Sequence, residues 1–371
     1  MVVTSAAAAE ADAGFVSAAA ELGADDADAG GPRPLAGAPV KGQALAIPAG
    51  TFRAGSTPGE PGREAAVEPA LLEVELGSFK IDALPYPNDP VLPPVMVDSP
   101  EEAARLCGEQ GARLCTELEW ERACKGPDGD RYATGPVWDS ACERSPSRCA
   151  SGFDVRAQGF MPEWTDSRFE DRSEVPVVRG GPDAARRCAA RIRGTAKTTP
   201  ARMAFRCCHG ARNDAAVPKI EAKTAFRKTS LEAADLERIF AASPELSRIA
   251  EGVRLFSDDE AKTIVSRSSA SADGIHFATS PILWSPEPGV ELLVATGRAR
   301  KTAFVVALWV LPNDTYRFAS SFLLLGDSAP VALAYEPSRR KELRWSACWH
   351  CAGEQGAVSV RDDGRVVIVQ Y

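Results

Sequence analysis

The spacing of apolar and polar positions between Ala44 and Asn213 predicts short elements separated by many turns. The stretch "ALAIPAGTFRAGS" indicates two strands joined by a Pro-Ala-Gly turn, and "LLEVELGSFKID" has the two-residue repeat of a half-buried strand. A helix follows, because Ser99 can cap it, Pro100 suits its first position and Glu102 completes a capping box. This part of the chain is therefore expected to contain few long regular elements.

A second helix is predicted inside "GARLCTELEWERACKG". Thr116 and Glu119 form another capping box, so the helix should run from about residue 117 to residue 125. Trp120 and Cys124 are one turn apart and lie on the same helix face. The first helix carries Cys107 in the same way, so both helices should present a cysteine to the core.

The pattern changes after Asn213. "SLEAADLERIFAASPELSRIAEG" predicts two helices and "SDDEAKTIVSRSS" a third, each with a serine cap. From about Ile275 the chain reads as strands separated by the turns "SPEPG", "PNDT", "YEPS" and "RDDG". We predict an α+β domain in this part, with helices first and then a largely antiparallel sheet.

Three regions follow from these patterns. Residues 1–43 are rich in Ala, Asp and Gly and have too little large apolar surface to offset chain entropy, so they are predicted to be a disordered tether. Residues 44–213 form the first domain and residues 214–371 the second. The role of the second domain is not indicated by its sequence.

Charge and hydropathy exclude two classes of partner. The 371 residues include 43 basic and 51 acidic side chains, which are spread along the chain, so no basic face is available for nucleic acid. No apolar run reaches the roughly 18 residues of a membrane helix; "TAFVVALWVL" has the length of a strand. We expect an unknown protein or a small molecule as the partner. The excess of Arg over Lys, with abundant Ala, Gly and Pro, suggests a bacterium with a GC-rich genome.

Cysteine usage indicates an oxidising compartment. The chain has 10 cysteines and only 3 histidines, which favours disulfides over zinc. No basic segment followed by an apolar segment stands after Met1, so no signal peptide is visible in the chain. We give the cysteines more weight and expect a periplasmic, cell-surface or extracellular protein. The cysteines are Cys107, Cys115, Cys124, Cys142, Cys149, Cys188, Cys207, Cys208, Cys348 and Cys351.

Seven short segments of the first domain form a recognisable series. They are "IPAGTFRAGS" (Ile47–Ser56), "FKID" (Phe79–Asp82), "GARLCTELEWERA" (Gly111–Ala123), "EWTDS" (Glu163–Ser167), "VVRGG" (Val177–Gly181), "RCAAR" (Arg187–Arg191) and "AFRC" (Ala204–Cys207). In these segments and in their order the chain resembles the formylglycine-generating enzyme family, also called the sulfatase-modifying factor family. In the second helix the family usually has R-L-P-T-E-x-E-W-E. The resemblance covers about residues 44–213.

The resemblance implies a complex α/β fold with little regular secondary structure, related to C-type lectins. In the enzymes of the family, a C-x4-C pair between the Gly-Gly and R-C-A-A-R segments binds copper(I) and oxidises a substrate cysteine to formylglycine. Here the interval from Gly181 to Cys188 contains no other cysteine. We therefore predict no catalytic residue and no copper, and expect a pseudoenzyme: an exported, disulfide-stabilised binding or structural module. The alternative is a divergent oxidase with relocated cysteines.

The resemblance also implies two disulfides, Cys107 with Cys207 and Cys124 with Cys188. Cys142 and Cys149 are near neighbours in a loop and pair most simply with each other. Cys115 and Cys208 then remain in this domain. We pair them by elimination, and the alternative is two free thiols that form a new copper site.

One carboxylate is a candidate calcium ligand. Glu163 lies where calcium-binding members of the family have the segment N-x-x-G-N-V-W-E-W, but this chain has "RAQGFMPEW", with Arg156 and Phe160 in place of the asparagines. Calcium prefers six or more oxygen ligands, which this segment does not supply. The alternative is a buried structural glutamate.

The motif "CWHC" (Cys348–Cys351) has the spacing of a redox or half-zinc site. The following residues predict a β-hairpin with an Asp-Gly turn and not the helix of a thioredoxin-like site. We predict a structural disulfide; a zinc site that includes His350 and a thiol oxidoreductase are the alternatives.

The remaining charged and histidine side chains are assigned structural roles. His276 is expected to pack in a strand, and His209 to be an exposed loop residue. The arginines of "ARRCAARIRG" are expected to form a solvated face, with an anion site as the alternative. They are Arg186, Arg187, Arg191 and Arg193.

Overall fold

The computed structural model describes residues 31–169, 172–195, 201–267, 276–278, 280–324, 330–336, 338–347 and 355–371. The tether predicted for residues 1–30 lies outside this range. Residues 31–43 belong to the same predicted tether, but they run along the first domain. The Arg33 amide donates to the Thr134 carbonyl at 2.7 Å, and the Arg33 guanidinium pairs with Asp130 at 2.6 Å.

The described residues up to His209 form short strands and two helices, as the turn-rich sequence predicts. The helices are α1 (Pro100–Glu109) and α2 (Glu117–Lys125). The strands are β1 (Ala44–Ile47), β2 (Gly50–Ala54), β3 (Leu72–Leu76), β4 (Phe79–Asp82), β5 (Arg113–Leu114), β6 (Glu163–Phe169), β7 (Arg172–Arg179), β8 (Ile192–Arg193), β9 (Ala204–Phe205) and β10 (Cys207–His209).

The predicted cap of each helix is confirmed, and the reciprocal bond of a capping box is present at α2. The Ser99 hydroxyl accepts from the Glu102 amide at 3.2 Å at the start of α1. At α2 the Glu119 amide donates to the Thr116 hydroxyl, and the Thr116 amide donates to the Glu119 carboxylate at 2.9 Å. Both helices begin where these local bonds satisfy their first free amides.

Three sheets surround α2 in this part of the chain. One has the strand order β1-β4-β10-β5, a second has the order β8-β7-β6-β9, and β2 pairs with β3. The β6–β9 pair is parallel and the other pairs are antiparallel. The helix packs against β2, β6 and β7, so it is enclosed on several sides.

The described residues from Phe226 onward form two helices and two antiparallel sheets. The helices are α3 (Ala233–Ala242) and α4 (Asp258–Arg267). The strands are β11 (Phe226–Lys228), β12 (Val253–Leu255), β13 (His276–Ala278), β14 (Ile282–Trp284), β15 (Leu292–Ala299), β16 (Thr302–Leu311), β17 (Thr315–Leu324), β18 (Ala332–Tyr335), β19 (Glu342–Ser346), β20 (Gln355–Val360) and β21 (Val366–Gln370).

The two sheets of this part pack face to face, and we call the pair the sandwich. One sheet has the order β11-β14-β15-β16-β17, with β12 on β15, and the other has the order β13-β18-β19-β20-β21. Alternate residues of β16 point to opposite sides: Val305 faces Trp345 between the sheets, whereas Phe304 packs against Phe240 of α3. A strand buried on both faces explains the uninterrupted apolar run "TAFVVALWVL".

The chain is α+β, as predicted, but its second part differs in detail. The middle of the three expected helices is only a 3₁₀ turn at Ser247–Ile249, because the amides of Leu246, Ile249 and Ala250 donate to the carbonyl three residues back instead of four. The expected serine cap is present before α4, where Ser257 accepts from Glu260, but Glu232 precedes α3 without a side-chain cap. Among the described residues, no helix has the length and apolar character needed to cross a bilayer.

Candidate functional site

The segment between Gly181 and Cys188, where the resemblance would place a cysteine pair, is a tight turn. It follows β7 through Gly180, whose φ of 77° favours glycine. A Cβ at this position would lie 2.6 Å from the Met161 carbonyl oxygen, so no other residue fits. Residues Asp183–Arg186 then form one 3₁₀ turn, which we call the 183–186 turn. This segment is therefore short, and its backbone packs closely against the backbone at Met161.

The 183–186 turn ends against an aromatic group. The Arg186 guanidinium lies 4.7 Å from the centre of the Trp138 ring and pairs with Glu143 at 3.0 Å. Trp138 also packs against Phe160 and Tyr132, with ring centres 4.6 and 5.8 Å away. These half-buried side chains form a small cation–π cluster beside the turn.

The cysteines of the first domain are paired in the structure. The Cα atoms are 5.5 Å apart in Cys107–Cys207 and in Cys124–Cys188, which are the pairs that the resemblance implies. The other two pairs, with Cα distances of 5.0 and 5.8 Å, are Cys115–Cys208 and Cys142–Cys149. The predicted disulfide between Cys348 and Cys351 lies outside the described residues, and so does His350.

Glu163 is fully buried and holds three hydrogen bonds from neighbouring side chains. Its oxygens accept from Nε and Nη2 of Arg206, both at 2.7 Å, and from Nε1 of Trp120 at 2.9 Å. These contacts favour the structural glutamate over the calcium ligand. Within the described ranges, no three His, Cys, Asp or Glu side chains gather as metal ligands would.

The two residues that replace the family's asparagines are used in packing. Arg156 is buried, donates to the Gly37 carbonyl and pairs with Asp154 at 3.0 Å, while Phe160 belongs to the cluster at Trp138. Arg156 therefore brings a positive charge close to the segment that a calcium site would use, which opposes cation binding there.

Helix α2 is buried along its whole length, although five of its nine residues carry a charge. Glu117 binds Arg191 through two hydrogen bonds of 2.7 and 2.8 Å and also accepts from Arg179 at 2.8 Å. Arg179 bonds to Glu121 at 3.0 Å as well. The helix is stable in the interior because each of these buried charges has an opposite partner.

The prediction of a solvated arginine face is therefore wrong for two of its four residues. Arg187 and Arg191 are only 2 % and 4 % exposed, because both reach inward to carboxylates. Arg186 and Arg193 are half-buried. The alternation of Glu with apolar residues in "ELEWE" was the available signal, since an enclosed helix with several glutamates requires buried cations.

A basic cleft lies beside this arginine cluster. It has a volume of about 340 Å³, and its walls include Phe169, Val67 and Ile220 together with Lys219. The guanidinium of Arg193 lies 4.2 Å from the centre of the Phe169 ring. The anion site considered for these arginines stays a prediction.

His209 differs from its expectation as an exposed loop residue. It ends β10 and is half-buried, and its Nε2 lies 3.0 Å from Oδ1 of Asp82. Burial raises the pKa of Asp82, and the hydrogen bond and charge of His209 partly oppose that rise. Sequence reasoning missed this contact because β4 and β10 are far apart along the chain.

Comparison with known proteins adds no assignment to this geometry. No protein-family model matches the chain, and no curated protein matches it in sequence. The family resemblance therefore rests on the quoted segments and on how their residues are placed.

Proposed function

We propose that residues 44–213 form a non-catalytic, formylglycine-generating-enzyme-like domain, related to C-type lectins, in an exported binding or structural protein. The observation that carries this proposal is the 183–186 turn, which contains no cysteine. Cys188, the second residue after it, is joined to Cys124. Copper(I) needs soft thiolate ligands, and this segment has none to offer.

The mutual contacts of the family-like segments support the proposal. Glu117 of "GARLCTELEWERA" bonds to Arg179 of "VVRGG" and to Arg191 of "RCAAR". Glu163 of "EWTDS" bonds to Arg206 of "AFRC". Charged residues quoted for the resemblance are thus one another's partners, which is expected if the segments are the structural signature of one fold.

The four disulfide pairs suggest an oxidising environment. Export is the simplest way for a bacterial protein to reach such a compartment. A domain that keeps its core and its disulfides while lacking the reactive pair is suited to binding or to a structural role.

The test is an assay for the family's reaction. The purified full chain is titrated with copper(I) against a chelator, and a Cys-x-Pro-x-Arg peptide is incubated with it under oxygen, with an active formylglycine-generating enzyme as the positive control. We expect no tight copper binding and no aldehyde product by mass spectrometry. Formation of formylglycine would show that the divergent oxidase is correct.

The thiol oxidoreductase alternative needs a separate measurement. We expect no insulin-reduction activity above background in the full chain. Activity that disappears in Cys348→Ser, while the stability of the first domain is unchanged, would assign catalysis to the "CWHC" motif instead.

A further inference from the structure

Residues 57–69 connect β2 to β3, and we call them the strap. Its first turn lies on the sandwich, against two residues that are cross-strand partners: Trp309 of β16 and Arg317 of β17. A Cβ on Gly59 would lie 2.3 Å from Nε1 of Trp309, and φ at Gly59 is 75°, so only glycine fits. The Arg317 guanidinium donates to the Pro58 carbonyl.

A second contact holds the middle of the strap to the sandwich. Nη1 of Arg63 donates to the Gly289 carbonyl at 3.0 Å, and Ala65 packs against the core between the two sheets. The contacts therefore extend from Pro58 to Ala65, and they combine backbone, aromatic and apolar packing.

The opposite side of the strap is bound to Arg187, the residue that follows the 183–186 turn. Glu68 accepts two hydrogen bonds from Arg187, both at 2.7 Å, and Glu60 accepts a third at 3.2 Å. Glu68 also accepts from the Ser56 hydroxyl at 2.6 Å. These buried, charge-assisted bonds are the stronger kind of hydrogen bond.

The strap also touches the 183–186 turn directly. A Cβ on Gly62 would lie 2.8 Å from the Cβ of Ala184, so the two backbones are close together. Between this contact and Gly59, which lies on Trp309, there are only two residues, Glu60 and Pro61, and Pro61 accepts from Arg131 at 2.9 Å. A chain this short, bound on both sides, has little freedom to move on one side alone.

We infer that the strap is a rigid connector through which the sandwich positions the 183–186 turn. A change at the Trp309–Arg317 pair moves the strap, and the strap moves the turn through Gly62 and Arg187. The inference rests on these contacts alone and holds whether or not the first domain belongs to the proposed family.

Hydrogen exchange on the full chain, followed by mass spectrometry, tests the inference. Arg317→Ala removes the bond to Pro58, and we expect exchange to rise about threefold to tenfold in peptides covering 57–69 and also in peptides covering 183–187. The matched control is Arg300→Ala, which removes an exposed ion pair between Glu251 and the turn that joins β15 to β16. It should leave both peptides unchanged.

A rise confined to residues 57–69 would overturn the inference, and so would no rise in either peptide. If Arg317→Ala also raises exchange within β16, the comparison is made with Trp309→Phe. This variant keeps an aromatic ring in the core, but it is smaller and lacks the indole nitrogen that faces Gly59. The same two peptides decide the outcome.

Discussion

Arg206 donates two hydrogen bonds of 2.7 Å to Glu163, one to each carboxylate oxygen. The side chains of Arg206 and Glu163 are buried, with exposed fractions of 1 % and 0 %. The pair joins the strand β6 to the short segment between β9 and β10. Trp120 of α2 donates to the same carboxylate, so one glutamate ties together a helix and two sheets.

The first prediction concerns this pair. Glu163→Gln keeps the shape of the side chain but leaves the buried Arg206 charge without the carboxylate that it hydrogen-bonds. We expect a loss of roughly 3–5 kcal/mol in the free energy of unfolding, measured by urea denaturation. The control is Asp166→Asn, which removes an ion pair with Arg212 in which both side chains are more than 40 % exposed, and which should cost about 1 kcal/mol or less. Equal losses would contradict the role given to burial.

Calcium provides the second prediction. A ligand that binds the folded protein raises its stability by mass action, so a calcium site at Glu163 would raise the melting temperature in millimolar calcium. We expect no change relative to a magnesium control, because Arg206 and Trp120 hold both carboxylate oxygens. If calcium raises the melting temperature of the wild-type protein but not that of Glu163→Gln, Glu163 is a calcium ligand.

Local signals in the sequence were sufficient for the helices of the first domain. Ser99 and Thr116 mark the starts of α1 and α2 because a cap and its partner are three residues apart. The strand β16 was equally clear from its apolar run. Such features are readable because all their determinants lie within one short segment.

The burial of the arginines was not readable in this way. Arg187 depends on Glu60 and Glu68, and Arg191 depends on Glu117, all more than 70 positions away. An arginine in a polar stretch therefore appears solvated until distant carboxylates are placed beside it. The helix predicted around Ser247–Ile249 was wrong for another reason: apolar residues at helical spacing also fit a segment that forms only turns and a short 3₁₀ helix.

The third prediction is a pH dependence at Glu121. Burial alone would raise the pKa of this carboxyl, but Lys125, Arg179 and the Gly55 amide lower it below its ordinary value. The folded pKa is thus below the unfolded pKa, so the stabilisation is present above about pH 4.3 and is lost as pH falls through the folded pKa. Glu121→Gln should be destabilised at pH 7, and its difference from wild type should shrink below about pH 4 in urea titrations.

The control for that series is Glu109→Gln. Glu109 is exposed and, among the residues that the structure describes, pairs with Arg105, one turn before it in α1. Its difference from wild type should be small at every pH. A Glu121→Gln difference that is constant with pH would show that packing, and not charge, accounts for the effect.

The contribution of Asp82 to stability should depend on pH with the opposite sign. Its pKa is raised, first by burial and against the influence of His209, so the folded state favours the protonated form. The stability that this provides is present below about pH 3.9 and is lost as pH rises through the folded pKa. Asp82→Asn, which stays neutral, should therefore gain stability relative to wild type as pH rises. If the stability of Asp82→Asn relative to wild type falls as pH rises in the same urea titrations, the pKa of Asp82 is not raised.

The last prediction concerns how much two disulfides add to stability. Cys115 and Cys208 are separated by 93 positions, but Cys107–Cys207 already closes nearly the same loop. Cys115–Cys208 therefore adds a ring of only about 10 residues, for which the chain-entropy relation gives about 2.7 kcal/mol, against about 2.4 kcal/mol for Cys142–Cys149. Replacing both cysteines of a pair by serine avoids free thiols, and urea denaturation of the two double variants should show similar losses.

Thiol counting on the unfolded, non-reduced protein fixes the pairing that the comparison assumes. We expect the peptides containing Cys115 and Cys208 to resist alkylation and to appear as one cross-linked species after digestion. If both are alkylated instead, the relocated thiol pair is real and copper binding must be measured again at that position. Losses that differ by several kcal/mol between the two double variants would show that native contacts near one pair, rather than chain entropy, set its contribution.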